Sequence, residues 1–407
     1  MMQESKDLRY KHGMYYFMTR NEELLYNANS LYDGFKKSMK GSAWKEQPQR
    51  FEMNLLSEIS KLQKELKTKT YKTSPTNDFI INERGKTRKI TGIQMRDRVV
   101  RHSLCDEVLL PQLIKHLVYD NGASLKRKGI KFTRKRLDKH LHKYYRERGS
   151  NEGYILLMDY SKFYDNIDHK KALIEIAKNI KDDYIMWLLS LIFDDFKVDV
   201  SYMSDEEYKN CINNKFDSLE YYHNNYPKQG DKYMRKSIDI GDQVSQVVGI
   251  YYPTRIDTYI KYVKGFKYYG RYMDDSYVIC ESKEKLKQLL SEIEKLSREM
   301  GLFINTKKTH IAKLSDTFKF LQIKYFVTDT GKVVKRINPK RVTAMRRKLK
   351  KLQLKVHEGV LTYDYVFQVY WSWMNNYAPL MSKLQRKHMI ELYNRLFVFD
   401  DFSKPGG

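Results

Sequence analysis

Cysteine is scarce in this chain: Cys105, Cys211 and Cys280 lie far apart and form no C-x-x-C pair, which argues against a zinc site or a disulfide framework. Proline is thin as well, eight in 407 residues, and neither a repeat nor a low-complexity segment occurs, so no long flexible linker is expected. Long apolar runs are missing. The greasiest stretch, "IMWLLSLIF" from Ile185 to Phe193, is far too short to cross a bilayer, and the polar start "MMQESKDLRYKHG" has no apolar signal core. A cytoplasmic protein without a membrane partner is the expectation. Acidic residues are in short supply: 50 Asp and Glu face 76 Lys and Arg, a net charge of +26 spread along the chain. That balance implies an anionic partner. Charge alone leaves nucleic acid, membrane and ribosome open, but 33 tyrosines and 18 phenylalanines interleaved with the basic residues favour a polymer with stackable bases.

What is present is a globular composition, 41% hydrophobic, in a chain long enough for a large core and two or three domains. Residues 21–70 read as helices; in "FEMNLLSEISKLQKELK" Phe51, Leu55, Ile59, Leu62 and Leu66 fall near one face. "NDFIINERGKTRKITGI" reads as a hairpin turning at Arg84-Gly85, and "MRDRVVRHSLCDEVLLPQLIKHL" as a helix. Leu125 to Arg148 carries eleven Lys or Arg, as either a solvated amphipathic helix or a phosphate-contacting surface. A strand follows over Gly153 to Phe163, then helix to about Phe193. The tyrosine-rich stretch from Lys197 to Lys236 has little periodicity and reads as a candidate insertion without assigned structure. Beyond it come a hairpin at Asp274-Asp275, a helix ending near Met300, short strands to about Val334 and a basic helical segment from Pro339 to Phe399. Helical ends around an irregular mixture of strands and helices predict an α+β class.

"YYGRYMDDSYVIC", Tyr268 to Cys280, sets Asp274 and Asp275 at the tip of an otherwise apolar hairpin. An Asp-Asp pair alone says little, because it recurs at Asp182-Asp183, Asp194-Asp195 and Asp400-Asp401 and Asp favours turns. The flanks decide. In "YILLMDYSKFYDNIDHK" Asp159 closes an apolar strand in the same manner and is followed by Phe163 and Tyr164. A carboxylate in such a place is costly to desolvate without a partner. For three converging carboxylates the simplest partner is a divalent cation, and two Mg²⁺ ions, which prefer hard oxygen ligands, can clamp an in-line phosphoryl transfer.

With these residues in this order, the chain resembles the bacterial reverse transcriptases of group II introns, retrons, diversity-generating elements and defence systems. The likeness covers residues 77–330 and extends into the C-terminal region. "GKTRKITGIQMRDRVVRHSL", Gly85 to Leu104, is similar to the family's fingers segment, which implies that Arg88 and Arg96 hold the incoming triphosphate. "FYDNIDH" follows the first aspartate as in these relatives. In "SIDIGDQVSQ" the likeness implies that Gly241 lets the backbone approach the template–nucleotide pair, with Ser245 and Gln246 following. "NTKKTHI" contains Lys308, similar to a lysine that meets the pyrophosphate, and "FKFLQIKY" resembles the hairpin that grips the primer end. From the residues alone, a solvated role stays open for Arg88, Arg96 and Lys308, and a core-aromatic role for Tyr164. The chain departs from the pattern at Ile93, close to the place of a usual proline, and at Ile240, where many relatives have glutamine. It departs also at Asp239 and Gln246, where proline is usual, and at Gln322, a usual glycine. The Ile-Gly-x-x-x-Ser-Gln form is most similar to the error-prone diversity-generating subgroup.

The resemblance implies a right-hand polymerase: a helical extension over 1–75, fingers over 76–153, and a palm over 154–334 whose antiparallel sheet bears the YMDD hairpin. The candidate insertion near 197–236 belongs to that palm, and a helical thumb occupies 335–407. The activity implied is RNA-directed DNA synthesis, with Asp159, Asp274 and Asp275 holding two Mg²⁺ ions, Mn²⁺ able to substitute, and Lys308 assisting. Implied partners are an RNA template, a DNA or RNA primer, dNTPs, a cognate structured RNA and an accessory protein. Two rivals are an RNA-dependent RNA polymerase, disfavoured by the bulky Tyr164 five residues after Asp159, and a catalytically silent RNA-binding scaffold, which needs none of the three aspartates.

Overall fold

Apolar residues at helical spacing build four N-terminal helices, Arg20–Tyr26, Ala28–Met39, Glu46–Met53 and Leu55–Lys67. The computed structural model describes residues 8–11, 14–17, 19–83, 85–223 and 230–398. The helix expected to run from Phe51 through Leu66 breaks at Asn54, whose side chain donates back to the Arg50 carbonyl at 3.2 Å and so competes with helix continuation. Phe51, Ile59, Leu62 and Leu66 are buried on either side of that break. Ahead of these helices, Leu8–Lys11 pairs antiparallel with Met14–Phe17.

The next hairpin is the expected one. Asn77–Glu83 pairs antiparallel with Lys86–Gly92, and the chain reverses at Gly85, whose φ of +73° suits glycine; Arg84 lies outside the described residues. In this register Lys86, Arg88 and Ile90 share one face with Ile81 and Phe79. The following helical run, from Met95 to His116, widens into a π-helical turn over Leu104–Leu109, just where Pro111 has no amide to donate to Glu107.

Strand Tyr154–Met158 is shorter than expected, because the chain leaves the sheet at Asp159 and turns through Lys162 (φ +46°) and a 3₁₀ turn, Tyr164–Asn166. Helices His169–Ala177 and Asp183–Asp194 follow, each opened by an aspartate that accepts from its first-turn amides. The stretch 197–236, which had no assignable pattern, contains helices Asp205–Asn213 and Ser218–His223 between the paired strands Val198–Asp199 and Tyr233–Met234. Helix Gln243–Tyr251, strands Tyr268–Tyr272 and Asp275–Cys280, helix Lys283–Glu299 and strand His310–Lys313 complete the middle of the chain. One four-stranded sheet has the order His310–Lys313, Tyr154–Met158, Asp275–Cys280, Tyr268–Tyr272.

The chain divides into two compact units: Met1–Thr133 with Met158–Tyr277 and Glu284–His310, and Arg134–Leu157 with Val278–Lys283 and Ile311–Gly407. Helix Ile130–Arg148 contributes most of its length to the second unit, where Arg134 donates to the Leu321 carbonyl at 2.6 Å and Lys335 lies 3.2 Å from Asp138. In that unit Phe318–Phe320, Ile323–Val327 and Val333–Ile337 form an antiparallel meander. Its first turn puts both Leu321 and Gln322 at positive φ, as a two-residue hairpin demands. Helices Pro339–His357, Tyr363–Tyr377 and Lys383–Phe397 pack around Val342, Leu349, Val366, Tyr370 and Met389. No helix among the described residues is long and apolar enough to cross a membrane.

Candidate active site

Asp159 stands where the buried strand Tyr154–Met158 ends, and the segment 304–309 fixes it there. Its amide donates to Thr309 Oγ1 at 3.2 Å, its carbonyl accepts from the Asn305 amide at 2.8 Å, and Tyr160 pairs with Ile304. Its carboxylate accepts from Asn305 Nδ2 at 3.1 Å and from Lys308 Nζ at 2.9 and 2.8 Å.

Asp274 and Asp275 are presented by a tight turn that puts Met273 at φ +54°, a strained value for a side chain of that size. A buried arginine supports the turn. Arg271 donates from Nη1 to the Met273 carbonyl at 3.0 Å and grips buried Asp257 through Nε and Nη2 at 2.7 and 2.6 Å. Tyr269 Oη donates to the same Asp257 at 2.5 Å. This bidentate, charge-assisted pair anchors the peptide that precedes Asp274.

The acids feel one another. Burial and then the charge of Asp159 lift the Asp274 carboxyl above its usual range, against the pull of Lys308 and Lys86. Burial, then Asp274 and Asp159, push Asp275 up to about 7. Burial would lower the Lys308 ammonium, but its hydrogen bond to Asp159 and the charges of all three aspartates raise it. Three carboxylates thus share one site with two cations, an excess of negative charge that a hard divalent cation would relieve. The donor chemistry fits such an ion. As the side chains stand, no group of three His, Cys, Asp or Glu among the described residues is arranged to coordinate it, and Lys308 holds both oxygens of Asp159.

Tyr164 sits beside this group, half-buried. Its hydroxyl lies 3.8 Å from Met273 Sδ, and a Cβ at Gly249 would meet it at 3.0 Å, so glycine leaves room for the ring. Burial, then the charges of Asp274 and Tyr272, push its hydroxyl up to about 12. Gly241 is exposed with φ +113°, and the atom nearest to a Cβ there would be Ile90 Cγ2 at 3.7 Å, on the hairpin face that also carries Lys86 and Arg88. Behind Gly241, Asp242 is 3.1 Å from buried Arg101, which also pairs with Asp195. Ile240 and Gln246 are exposed, and Ser245 is buried.

Arg96 is not brought to the aspartates. It pairs with Glu65, donates to the Lys72 carbonyl at 3.4 Å and lies over the Tyr71 ring, because helix Met95–Ser103 turns that face toward the N-terminal helices. The cation that acts on Asp274 and Asp275 together with Lys308 is Lys86, which the sequence reading passed over. Its signal was the period of two that puts Lys86 and Arg88 on one strand face. Arg271, Asp257 and Gly249 were also missed; a lone arginine before the hairpin tip and a glycine inside a helix were their only marks.

A sequence model of the family "Reverse transcriptase (RNA-dependent DNA polymerase)" matches residues 80–325, more than half of the chain. The chain belongs to this family, whose members are nucleotidyltransferases. None of the curated proteins compared matches it. Among solved structures, it is similar to an apo telomerase from Candida tropicalis, at 15% identity and TM-score 0.39 over 65% of this chain and 49% of that one. A form of that telomerase truncated from the C-terminal domain matches at 17% and 0.42, over 64% and 56%. A telomerase from Candida albicans in complex with a TWJ fragment of telomeric RNA matches at 10% and 0.42, over 84% and 62%. The chain therefore spans about half to three fifths of these proteins.

Proposed function

We propose that the protein extends a primer with deoxynucleotides on an RNA template, by nucleotidyl transfer at Asp159, Asp274 and Asp275. The observation that carries this reading is the shared electrostatic site of three aspartates from distant parts of the sequence, flanked by Lys308 and Lys86. The three carboxylates would hold two Mg²⁺ ions, with Mn²⁺ able to substitute, which supply charge neutralisation at the reacting phosphate and favour ionisation of the primer 3′-hydroxyl. Lys86 and Arg88 take the triphosphate from the hairpin side, and Lys308 meets the pyrophosphate once it leaves Asp159. Gly241 leaves the backbone open to the template–nucleotide pair, exposed Gln246 follows it in the chain, and the Tyr164 ring lies under the sugar.

In this reading 76–153 acts as fingers, 154–334 as palm and the C-terminal helices as a thumb on the duplex. The reading is of a bacterial enzyme of a defence, retron-like or diversity-generating system, working on a dedicated structured RNA with an accessory protein; the Ile240-Gly241 form is most similar to the diversity-generating subgroup. The experiment that separates it from an RNA polymerase is single-nucleotide extension with matched rNTP and dNTP. Tyr164→Ala is expected to admit rNTP while keeping most dNTP use. An unchanged kcat/KM ratio would make Tyr164 a core aromatic and favour the RNA polymerase reading.

A further inference from the structure

Among the described residues, the segment between Lys197 and Lys236 supplies no group to the carboxylate site, yet it is bonded along the stretch that carries Tyr164. Its own core is small: Val200, Met203, Cys211, Phe216 and Met234. Buried Lys236 ties it shut, donating to the carbonyls of Cys211, Ile212 and Asn214 at 3.2, 3.3 and 2.5 Å, where helix Asp205–Asn213 ends and its partial negative charge collects.

What this small body grips is the turn after Asp159. Asn166, fully buried, treats Phe216 as a neighbouring strand would: its Nδ2 donates to the Phe216 carbonyl at 3.0 Å while the Phe216 amide donates to its Oδ1 at 2.8 Å. The same Nδ2 donates to the Lys162 carbonyl at 2.9 Å. Ser218 donates to Asp165, and Lys162 pairs with Asp217 at 2.8 Å. The chain leaving the segment closes the other side, with the Ile238 amide donating to the Tyr164 carbonyl at 3.0 Å and the Ser237 amide to the Ile167 carbonyl at 3.2 Å. Helix Ser218–His223 also packs on strand Lys86–Gly92, which bears Lys86 and Arg88.

We propose that residues 197–223 and 230–236 are a positioning element for nucleotide selection, holding the Tyr164 peptide through Asn166 and Asp165 and the triphosphate-side strand through helix Ser218–His223. This rests on Tyr164 being the sugar gate. A ring excludes a 2′-hydroxyl only while its backbone stays in place, and a shift of about 1 Å is enough to change catalysis severely. Only an amide of this length can accept from Phe216 and donate to two carbonyls at once; an aspartate in its place could only accept.

The test uses the full chain on a primed RNA. Single-nucleotide dNTP and rNTP incorporation is measured for the parent, Tyr164→Ala, Asn166→Ala and the double variant Asp217→Ala with Ser218→Ala, alongside amide exchange over residues 161–168, which needs no turnover. Asn166→Ala is expected to raise KM for dNTP about tenfold with a much smaller change in kcat, and to narrow the dNTP-to-rNTP ratio toward that of Tyr164→Ala. Exchange over 161–168 should quicken while primer–template affinity holds. The double variant should do the same more weakly, and it decides the matter if Asn166→Ala fails to fold. Folded variants with the parent's ratio, or with a fall in kcat alone, overturn the inference. If Tyr164→Ala relaxes the ratio and the other variants do not, the inference falls and the function reading stands; a parent that incorporates nothing overturns both.

Discussion

At the scale of single residues, the hairpin tip depends on an ion pair rather than on the aspartates themselves. Arg271 and Asp257 are both buried, and Arg271 donates to the Met273 carbonyl at 3.0 Å. Arg271→Met should lower unfolding free energy by about 3–5 kcal/mol, because it leaves Asp257 charged and unpaired in the interior. Denaturant unfolding checks this, and a loss under about 1 kcal/mol would show that the pair is dispensable. The aspartates were legible in the sequence, since an ionised residue at the end of an apolar strand is anomalous without a partner. Arg271 was not, because a single arginine in a basic chain gives no hint of burial. The pairing of Arg96 was hidden for a related reason: its motif position says nothing of Glu65, which is distant in sequence and lies against it.

At the scale of elements, the hairpin Asn77–Glu83 with Lys86–Gly92 was readable from its alternation and its glycine turn, as were most helices from their period. The 197–236 stretch was not, because its short elements are held by side chains bonding to backbone, chiefly Asn166 and Lys236, and such bonds leave no periodic trace. The contact between the hairpin and the Ser237–Asp242 loop has a pH signature. Asp239, beside Lys89 of the hairpin at 3.9 Å, is pushed up to about 6 by burial, against Lys89 and Thr91. The folded state therefore keeps a proton that an unfolded aspartate releases near pH 4, so this group's contribution to stability falls as pH rises from about 4 to about 6. Asp239→Asn removes that fall. Its stability gain over the parent should open to roughly 1–3 kcal/mol above pH 6 and close below pH 4, with Lys89 keeping Asp78 at 3.1 Å. Parallel stability curves across that range would contradict the assignment.

At the scale of the whole molecule, a net charge of +26 makes binding to an anionic polymer strongly salt-dependent. In the second unit, Arg346, Arg347, Lys350, His388 and Arg395 line a cleft of about 490 Å³ between helices Pro339–His357 and Lys383–Phe397. Replacing Arg346 and Arg347 by alanine should weaken primer–template binding regardless of sequence and flatten the slope of log affinity against log salt by about 2. An unchanged slope would remove this cleft from the binding surface. The charge and the helical ends were visible in composition and period, whereas the division into two units was not, because it depends on long-range bonds such as that from Arg134 to the Leu321 carbonyl. The central claim, templated DNA synthesis at the three aspartates, is tested most directly by extension of a primed RNA with labelled dNTPs and Mg²⁺, comparing the parent with Asp274→Asn. The account predicts template-directed extension by the parent that vanishes on chelation, and at least a thousandfold loss, on the order of 10³ or more, in a folded, RNA-binding Asp274→Asn. Near-normal extension by that variant, or none by the parent, would contradict it.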